Sequence, residues 1–238
     1  MEAKLTDLVN RLKNTARENL RAVMLYGSAV SGEFREGQSD LNILCLVNSA
    51  SANDLEHLHP VAEWWTRQGN TAPLIFTLDE LHRAADVFSI ELFDMKAHHR
   101  VLHGEDFLAN FEVPLRLHRI QVERELRTSL IRLRQGIVAA PISNRDHLGL
   151  MTQSVSVFCS LFRHAVIAMG QHAPATKREA VVAVASITGA DPSAFHTVLD
   201  LREGKRKKGD VDVEASLHAY LEFVEVVTNE VDRRLDAI

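Results

Sequence analysis

The sequence has few of the features that mark disulfide-stabilised, zinc-binding or membrane-embedded proteins. Its 238 residues include two cysteines, Cys45 and Cys159, and each lies within an apolar stretch. This pattern predicts buried free thiols and not a disulfide or zinc framework. No apolar run reaches the roughly 18 residues of a membrane span, and the charged N-terminal segment has no apolar signal core. We therefore expect a cytoplasmic protein that does not insert into a membrane.

An excess of positive charge is also missing. The formal net charge is −5, from 27 basic and 32 acidic residues, which makes a broad nucleic-acid-binding surface an unfavoured interpretation. The strongest basic run, Arg202 to Lys208, is expected to be a solvated loop between helices, with an electrostatic patch for a polyanion as its second interpretation. Hydrophobic residues make up 46% of the chain and charged residues 25%, as in ordinary globular proteins and unlike disordered ones.

The hydrophobic periodicity divides the chain into two halves. In residues 1–112, amphipathic helical segments alternate with short apolar runs at 22–26, 41–47 and 73–77, which predicts an α/β domain. Pro73 favours an edge position or the first residue of its strand. Residues 113–238 show helical periodicity throughout and predict an all-α bundle. Its first helix is expected to run from Leu115 to Gln135, with Gly136 and Pro141 ending it.

The stretch from residue 25 to residue 47 has the pattern of a phosphate-handling unit. An apolar run ends at Gly27, where the missing side chain lets a ligand approach the backbone closely. Ser28 offers a hydroxyl at the N-terminus of a helix, where N–H groups favour an anion. Eleven residues separate Ser28 from Asp40, which opens the next strand and could hold Mg²⁺ against the same phosphates. The alternative interpretation is an ordinary strand-to-helix turn with a capping serine.

The run Tyr26-Gly27-Ser28, followed after a spacer by Asp40-Leu41-Asn42, resembles the signature of the nucleotidyltransferase superfamily, which includes aminoglycoside and minimal nucleotidyltransferases. The segment 88–106 is similar to stretches that follow the core in bacterial members. The resemblance covers about the first 110 residues. It implies an α+β fold, in which a small mixed sheet flanked by helices precedes a helical bundle. It also implies a nucleoside triphosphate as ligand and Mg²⁺ as cofactor.

The sequence departs from that family at the second acidic position, which is Asn42. Alternation along a strand places Asp40 and Asn42 on the same face, so the change falls directly on the expected metal site. The family's third carboxylate usually lies on the next core strand, but residues 72–77 contain no acid. Two-metal nucleotidyl transfer needs carboxylates that bridge the cations and accept the proton of the acceptor hydroxyl. Glu91 or Asp94 could replace the missing acid if their segment folds over the site.

The predicted site therefore has two parts. Asp40, Asn42 and Glu91 are the catalytic candidates, with Asp40 as the metal ligand, and Gly27 and Ser28 are the phosphate-binding candidates. A second cluster, His98, His99 and His103, lacks the spacing of a zinc site and is expected to supply surface or capping histidines.

Three functions fit this pattern. The leading hypothesis is a nucleotidyltransferase-fold protein with a degenerate catalytic centre that binds a nucleotide or anion in a binding or regulatory role. The alternative is an active Mg²⁺-dependent enzyme that moves a nucleoside monophosphate from a triphosphate to a hydroxyl of a small molecule or a protein. The third gives the helical half a partner-binding role, including a homodimer.

Overall fold

The protein forms two compact units, Met1–Pro114 and Leu115–Ile238. The computed structural model describes residues 1–31, 40–85, 87–140 and 143–235. Pro141 and the polar stretch 32–39 therefore lie outside the described residues. Each unit has its own hydrophobic core, and the two are described separately below.

The first unit is built on a four-stranded sheet with the strand order β3-β2-β1-β4. Its elements are α1 (Glu2–Ala16), β1 (Leu20–Tyr26), α2 (Ser28–Ser31), β2 (Asn42–Val47), α3 (Ala52–Thr66), β3 (Leu74–Thr77), α4 (Leu78–Ala84), α5 (Ser89–Ala97) and β4 (His99–Gly104). Strand β1 is antiparallel to both β2 and β4, whereas β2 is parallel to β3. The predicted small mixed sheet flanked by helices is confirmed, and Pro73 directly precedes the edge strand β3.

Helices cover both faces of this sheet, which explains why its central strands read as continuous apolar runs and not as alternating ones. The first face packs against α1 and α3, and its buried side chains include Val23, Leu25, Ile43, Cys45, Val47 and Trp65. The second face packs against α4 and α5, and its buried side chains include Ala22, Met24, Leu44, Leu46, Leu92 and Met95. Because side chains alternate along a strand, Tyr26 and Asn42 lie on this second face.

The described residues of the second unit form helices and no strand, as the sequence predicts. Its helices are α6 (Leu115–Ala139), α7 (Asn144–Ala168), α8 (Lys177–Thr188), α9 (Ser193–Arg202) and α10 (Val213–Leu235). An aromatic cluster joins three of these helices, with ring centroids between 4.1 and 6.4 Å apart for Phe158, Phe162, Phe195, Tyr220 and Phe223. Burial raises the pKa of the Tyr220 hydroxyl, which shares a 3.0 Å hydrogen bond with Ser154.

The expectation that Gly136 ends the first helix of this unit is wrong, because α6 continues through it to Ala139. A β-carbon at Gly136 would lie 2.8 Å from Leu150 Cδ2 on α7. The glycine therefore allows two long helices to pack closely and does not act as a helix stop.

Within the described residues, α7 is the one helix that is long and apolar enough to cross a membrane by length and composition. Its most apolar 18-residue window has a mean hydropathy of 1.2, and half of that window is buried inside the protein. The core helix of a soluble protein passes the same test. The buried residues of α7 include the aromatic cluster members Phe158 and Phe162, so packing within the unit accounts for its apolar face.

Each unit contains one buried cysteine. Cys45 lies on β2 with none of its surface exposed, and Cys159 lies on α7 with 1% exposed. Burial raises the pKa of both thiols to about 12. Both cysteines are free, which confirms the prediction of buried thiols.

Candidate functional site

The turn between β1 and α2 is organised by Gly27. Its φ angle is +79°, a conformation that residues with a β-carbon rarely adopt. Its N–H donates to the carbonyl of His98 at 3.2 Å, and its own carbonyl accepts from the N–H groups of Val30 at 2.9 Å and Ser31 at 3.0 Å. The strand thus turns sharply into a helix that begins at the half-exposed Ser28.

Asn42 lies directly beside this turn. It is the first residue of β2, and its Cα pairs with that of Tyr26 at the end of β1. A β-carbon on Gly27 would come within 3.2 Å of Asn42 Nδ2. On its other side, Asn42 Oδ1 accepts a hydrogen bond of 3.2 Å from the Thr71 hydroxyl. The Asn42 amide is therefore packed against Gly27 and hydrogen-bonded to the loop that follows α3.

The start of β2 is fixed by the loop that follows α3. The N–H of Leu41 donates to Asn70 Oδ1 at 3.1 Å, and Asn70 Nδ2 donates to the carbonyl of Trp65 at 3.4 Å. The half-exposed Asp40 is adjacent to this anchored residue. The backbone on the C-terminal side of Asp40 is thus held in place before the strand begins.

The carboxylates proposed as replacements lie on α5, which packs on the second sheet face through Leu92 and Met95. Asn42 faces the same side of the sheet. Glu91 is solvent-exposed in the first turn of α5, and Asp94 is half-buried. Within the described residues, no group of three His, Cys, Asp or Glu side chains is placed to hold a metal ion.

Strand β3 supplies no acid, and Glu80, three residues after the strand ends, has a structural role. Thr77 is the N-cap of α4, and the carboxylate of Glu80 accepts from the Thr77 N–H at 2.8 Å and from its hydroxyl at 2.9 Å. The hydroxyl in turn accepts from the Glu80 N–H at 3.2 Å. These reciprocal bonds form a capping box and lower the pKa of Glu80.

His99 is a capping histidine, as the sequence predicts for this cluster. Its Nδ1 lies 3.0 and 3.1 Å from the carbonyl oxygens of Met95 and Lys96, in the last turn of α5, and its Nε2 lies 2.9 Å from Asp106 Oδ1. Burial would raise the pKa of the Asp106 carboxyl, but hydrogen bonds from His99 and two backbone N–H groups outweigh it and lower that pKa. His99 therefore joins α5 to the segment that follows β4.

Sequence reasoning missed Asn70 and Thr71. Gly69-Asn70 is typical of a helix stop, and Thr71 belongs to no recognised motif. The available signal was a pair of polar residues between a helix stop and the next apolar run. Their contact with the start of β2 depends on the parallel pairing of β3 with β2.

No protein-family model and no curated protein sequence matches the chain. Among solved structures, the chain is similar to spectinomycin adenyltransferase AAD(9) from Enterococcus faecialis, solved with ATP and spectinomycin. The identity is 14%, the match covers 94% of this chain and 99% of that one, and the TM-score is 0.52. A nucleotidyltransferase-like protein from Exiguobacterium sibiricum 255-15 matches at 12% identity over 95% of this chain and 75% of that one, with a TM-score of 0.44. The first match shows a shared fold along nearly the whole chain, so the fold expected from the sequence motif is confirmed.

Proposed function

We propose that this protein, which has the fold of the nucleotidyltransferase superfamily, binds a nucleoside triphosphate beside the β1–α2 turn and has a degenerate catalytic centre. The observation that carries the proposal is the position of Asn42 and the contacts of its side chain. Its side chain stands at the family's second acidic position, it packs against Gly27, and its oxygen accepts a hydrogen bond from Thr71. An amide brings no negative charge and cannot act as a base.

The donor set suits one magnesium ion better than two. Asp40 is the single carboxylate of the motif, and one carboxylate together with substrate phosphates and water is a common way to hold Mg²⁺. A two-metal centre needs bridging carboxylates, which Asn42 cannot supply. When bound, the ion would neutralise phosphate charge. The N–H groups that open α2 and the Ser28 hydroxyl would contact the same phosphates. ATP in the structure of the adenyltransferase neighbour supports a nucleotide as the ligand of this fold.

An active transferase is the second candidate. It is favoured by the position of α5, which packs on the sheet face shared by Asn42 and carries Glu91 and Asp94. In that case one of these carboxylates would accept the proton of the acceptor hydroxyl, and Asp40 would hold the metal. The acceptor would be a small molecule or a protein side chain. The homodimer through the helical unit stays a prediction.

The test is calorimetric titration with ATP, GTP, CTP and UTP, with and without Mg²⁺. We expect saturable, Mg²⁺-dependent binding of at least one nucleotide by the wild type and a loss of about tenfold or more in Asp40→Ala, since a charge-assisted contact contributes about 1.5–3 kcal/mol. Asp79→Asn is the matched control, because Asp79 is an exposed carboxylate of the same unit outside the proposed site. Its affinity should equal that of the wild type.

Turnover separates the two candidates. Pyrophosphate release from the bound nucleotide should be absent or very slow in the wild type and should rise in Asn42→Asp, which restores a carboxylate beside Asp40. Rapid Mg²⁺-dependent transfer by the wild type, abolished in Asp40→Ala, would establish the active enzyme instead. The absence of binding by all four nucleotides would remove both candidates and leave the fold as a scaffold.

A further inference from the structure

The second unit contains a cavity that the proposed nucleotide site does not explain. Its volume is about 620 Å³, within the range of small-molecule sites in proteins. It lies between the first turns of α7, the C-terminal end of α9, the turn at Lys208–Asp210 and the start of α10. Its apolar surface comes from residues such as Leu148 and Val213, and all of its lining residues belong to the second unit.

The charged groups that line this cavity are positive. Arg145 and Lys208 are its two charged lining residues, and no carboxylate is among the described residues that line it. Neither cation has an ion-pair partner within the part of the chain that the structure describes. Two other cations of the neighbouring basic loop are engaged. Lys205 pairs with Glu203 at 2.6 Å, and Arg202 donates to the Ser156 hydroxyl.

Five carboxylates directly adjoin lining residues in the sequence. Asp200 pairs with Arg178, Asp210 and Glu214 are exposed, and the other two are used at helix N-termini. Asp146 accepts from the Ser143 hydroxyl at 2.6 Å, and Asp212 accepts from the Ala215 N–H at 3.1 Å. The cavity also receives the positive ends of two long helices, because Asn144 begins α7, Val213 begins α10, and both residues line it. The lining therefore favours a negatively charged group.

A glycine inside α7 gives independent support for a ligand. Glycine weakens a helix interior relative to alanine, so its presence there calls for a steric reason. At Gly136 that reason is Leu150, which would lie 2.8 Å from a β-carbon. At Gly149, which lines the cavity, a β-carbon would have nothing within 4 Å. The protein's own packing gives no reason for this glycine, whereas a molecule in the cavity would.

We propose that this cavity is a second ligand site, which binds a small molecule that has a phosphate group next to an apolar moiety. Arg145 and Lys208 bind the phosphate, Leu148 and Val213 contact the apolar part, and Gly149 leaves room for it. The site goes beyond the proposed nucleotide function and needs none of its residues. The volume of about 620 Å³ matches a small molecule, and the apolar lining favours such a ligand over a polyanion spread along the basic loop.

The probe is phenyl phosphate, titrated into ¹⁵N-labelled full-length protein in 0.15 M NaCl. The amides of Gly149 and Gly209, two glycines that line the cavity, should shift saturably. Benzyl alcohol, which lacks the charge, should bind more weakly. Arg145→Gln and Lys208→Gln should each lower the affinity by about tenfold, the effect of losing one charge-assisted contact. Gly149→Leu should abolish binding, which the amide shift of Gly209 would measure. The melting temperature of this variant should equal or exceed that of the wild type.

Lys205→Ala is the matched control, because Lys205 belongs to the same basic loop but pairs with Glu203 and does not line the cavity. Its affinity for phenyl phosphate should equal that of the wild type, and so should that of Asp40→Ala. An equal loss of affinity for phenyl phosphate in Lys205→Ala would show that the basic loop attracts the ligand nonspecifically, which would overturn the proposed site. Unchanged binding in Gly149→Leu, or no saturable shift, would overturn the proposal. Displacement by ATP that requires Asp40 would make the cavity part of the nucleotide site and overturn it as a separate one.

Discussion

Gly27 and Asn42 lie against each other where β1 ends and β2 begins, so a substitution of the glycine has two costs. Alanine at a positive φ costs about 1 kcal/mol or more, and its β-carbon would also press on Asn42 Nδ2 at 3.2 Å. Gly69 has a similar φ of +83° with nothing within 4 Å of a β-carbon. We expect Gly27→Ala to lower the free energy of unfolding more than Gly69→Ala, as measured by urea denaturation. Equal losses would mean that Asn42 moves aside without cost.

The same two residues show how far the sequence determines the site. Strand alternation predicts that Asp40 and Asn42 share a face, and the motif assigns Gly27 to the same expected site, whereas the contact between Gly27 and Asn42 is seen only in the structure. The hydrogen bond from Thr71 to Asn42 spans 29 residues. It exists because β3 is parallel to β2 and its preceding loop returns to the start of β2. Neither the strand direction nor that register can be read from a single residue type.

At the scale of elements, the contact between α6 and α7 shows how a glycine can stabilise helix packing at the expense of helix propensity. Alanine at Gly136 should improve helix propensity by about 1 kcal/mol, but its β-carbon would displace Leu150. We expect Gly136→Ala alone to change stability little, and to stabilise by about 1 kcal/mol when Leu150 is also alanine. A double-mutant cycle from thermal unfolding measures this coupling. Additive effects would contradict the role that we assign to the glycine.

The error over the end of α6 has the same physical basis. A glycine in a helical pattern is compatible both with a stop and with a close approach of another helix. Only the position of a neighbour, here Leu150 on α7, separates the two. Element type was predictable throughout the second unit because helical periodicity is local, whereas this boundary depended on tertiary packing.

At the scale of the whole molecule, an ion-pair network links α8 to the end of α9 and makes the stability of the second unit depend on pH. Arg178 contacts Asp200 at 2.6 Å and Glu203 at 2.9 Å, and Lys205 contacts Glu203 at 2.6 Å. Hydrogen bonds from Arg178 and Lys205 lower the pKa of Glu203 from 4.5 to about 2. Its contribution is therefore fully present above pH 4.5 and is lost as the pH falls toward 2.

We expect the melting temperature to fall between pH 5 and pH 2 and to fall less steeply in Glu203→Gln, as calorimetry at a series of pH values would measure. The contribution is modest because the Glu203 side chain is 39% exposed and surface pairs are screened by solvent. Glu222→Gln is the control, since Glu222 is exposed and has no ion-pair partner among the described residues. An identical pH profile in Glu203→Gln and the wild type would contradict the prediction.

The two buried cysteines allow the opening of each unit to be measured separately, as the rate at which its thiol reacts. With pKa values raised to about 12, neither thiol forms an appreciable amount of the reactive thiolate at neutral pH. A disulfide reagent should therefore label Cys45 only when the sheet unit opens and Cys159 only when the helical unit opens. Mass spectrometry of the two peptides over time, with single Cys→Ser variants to assign each rate, would measure both openings in one sample. Different rates would show that the units open independently, and labelling of both thiols within seconds in the native protein would contradict their burial.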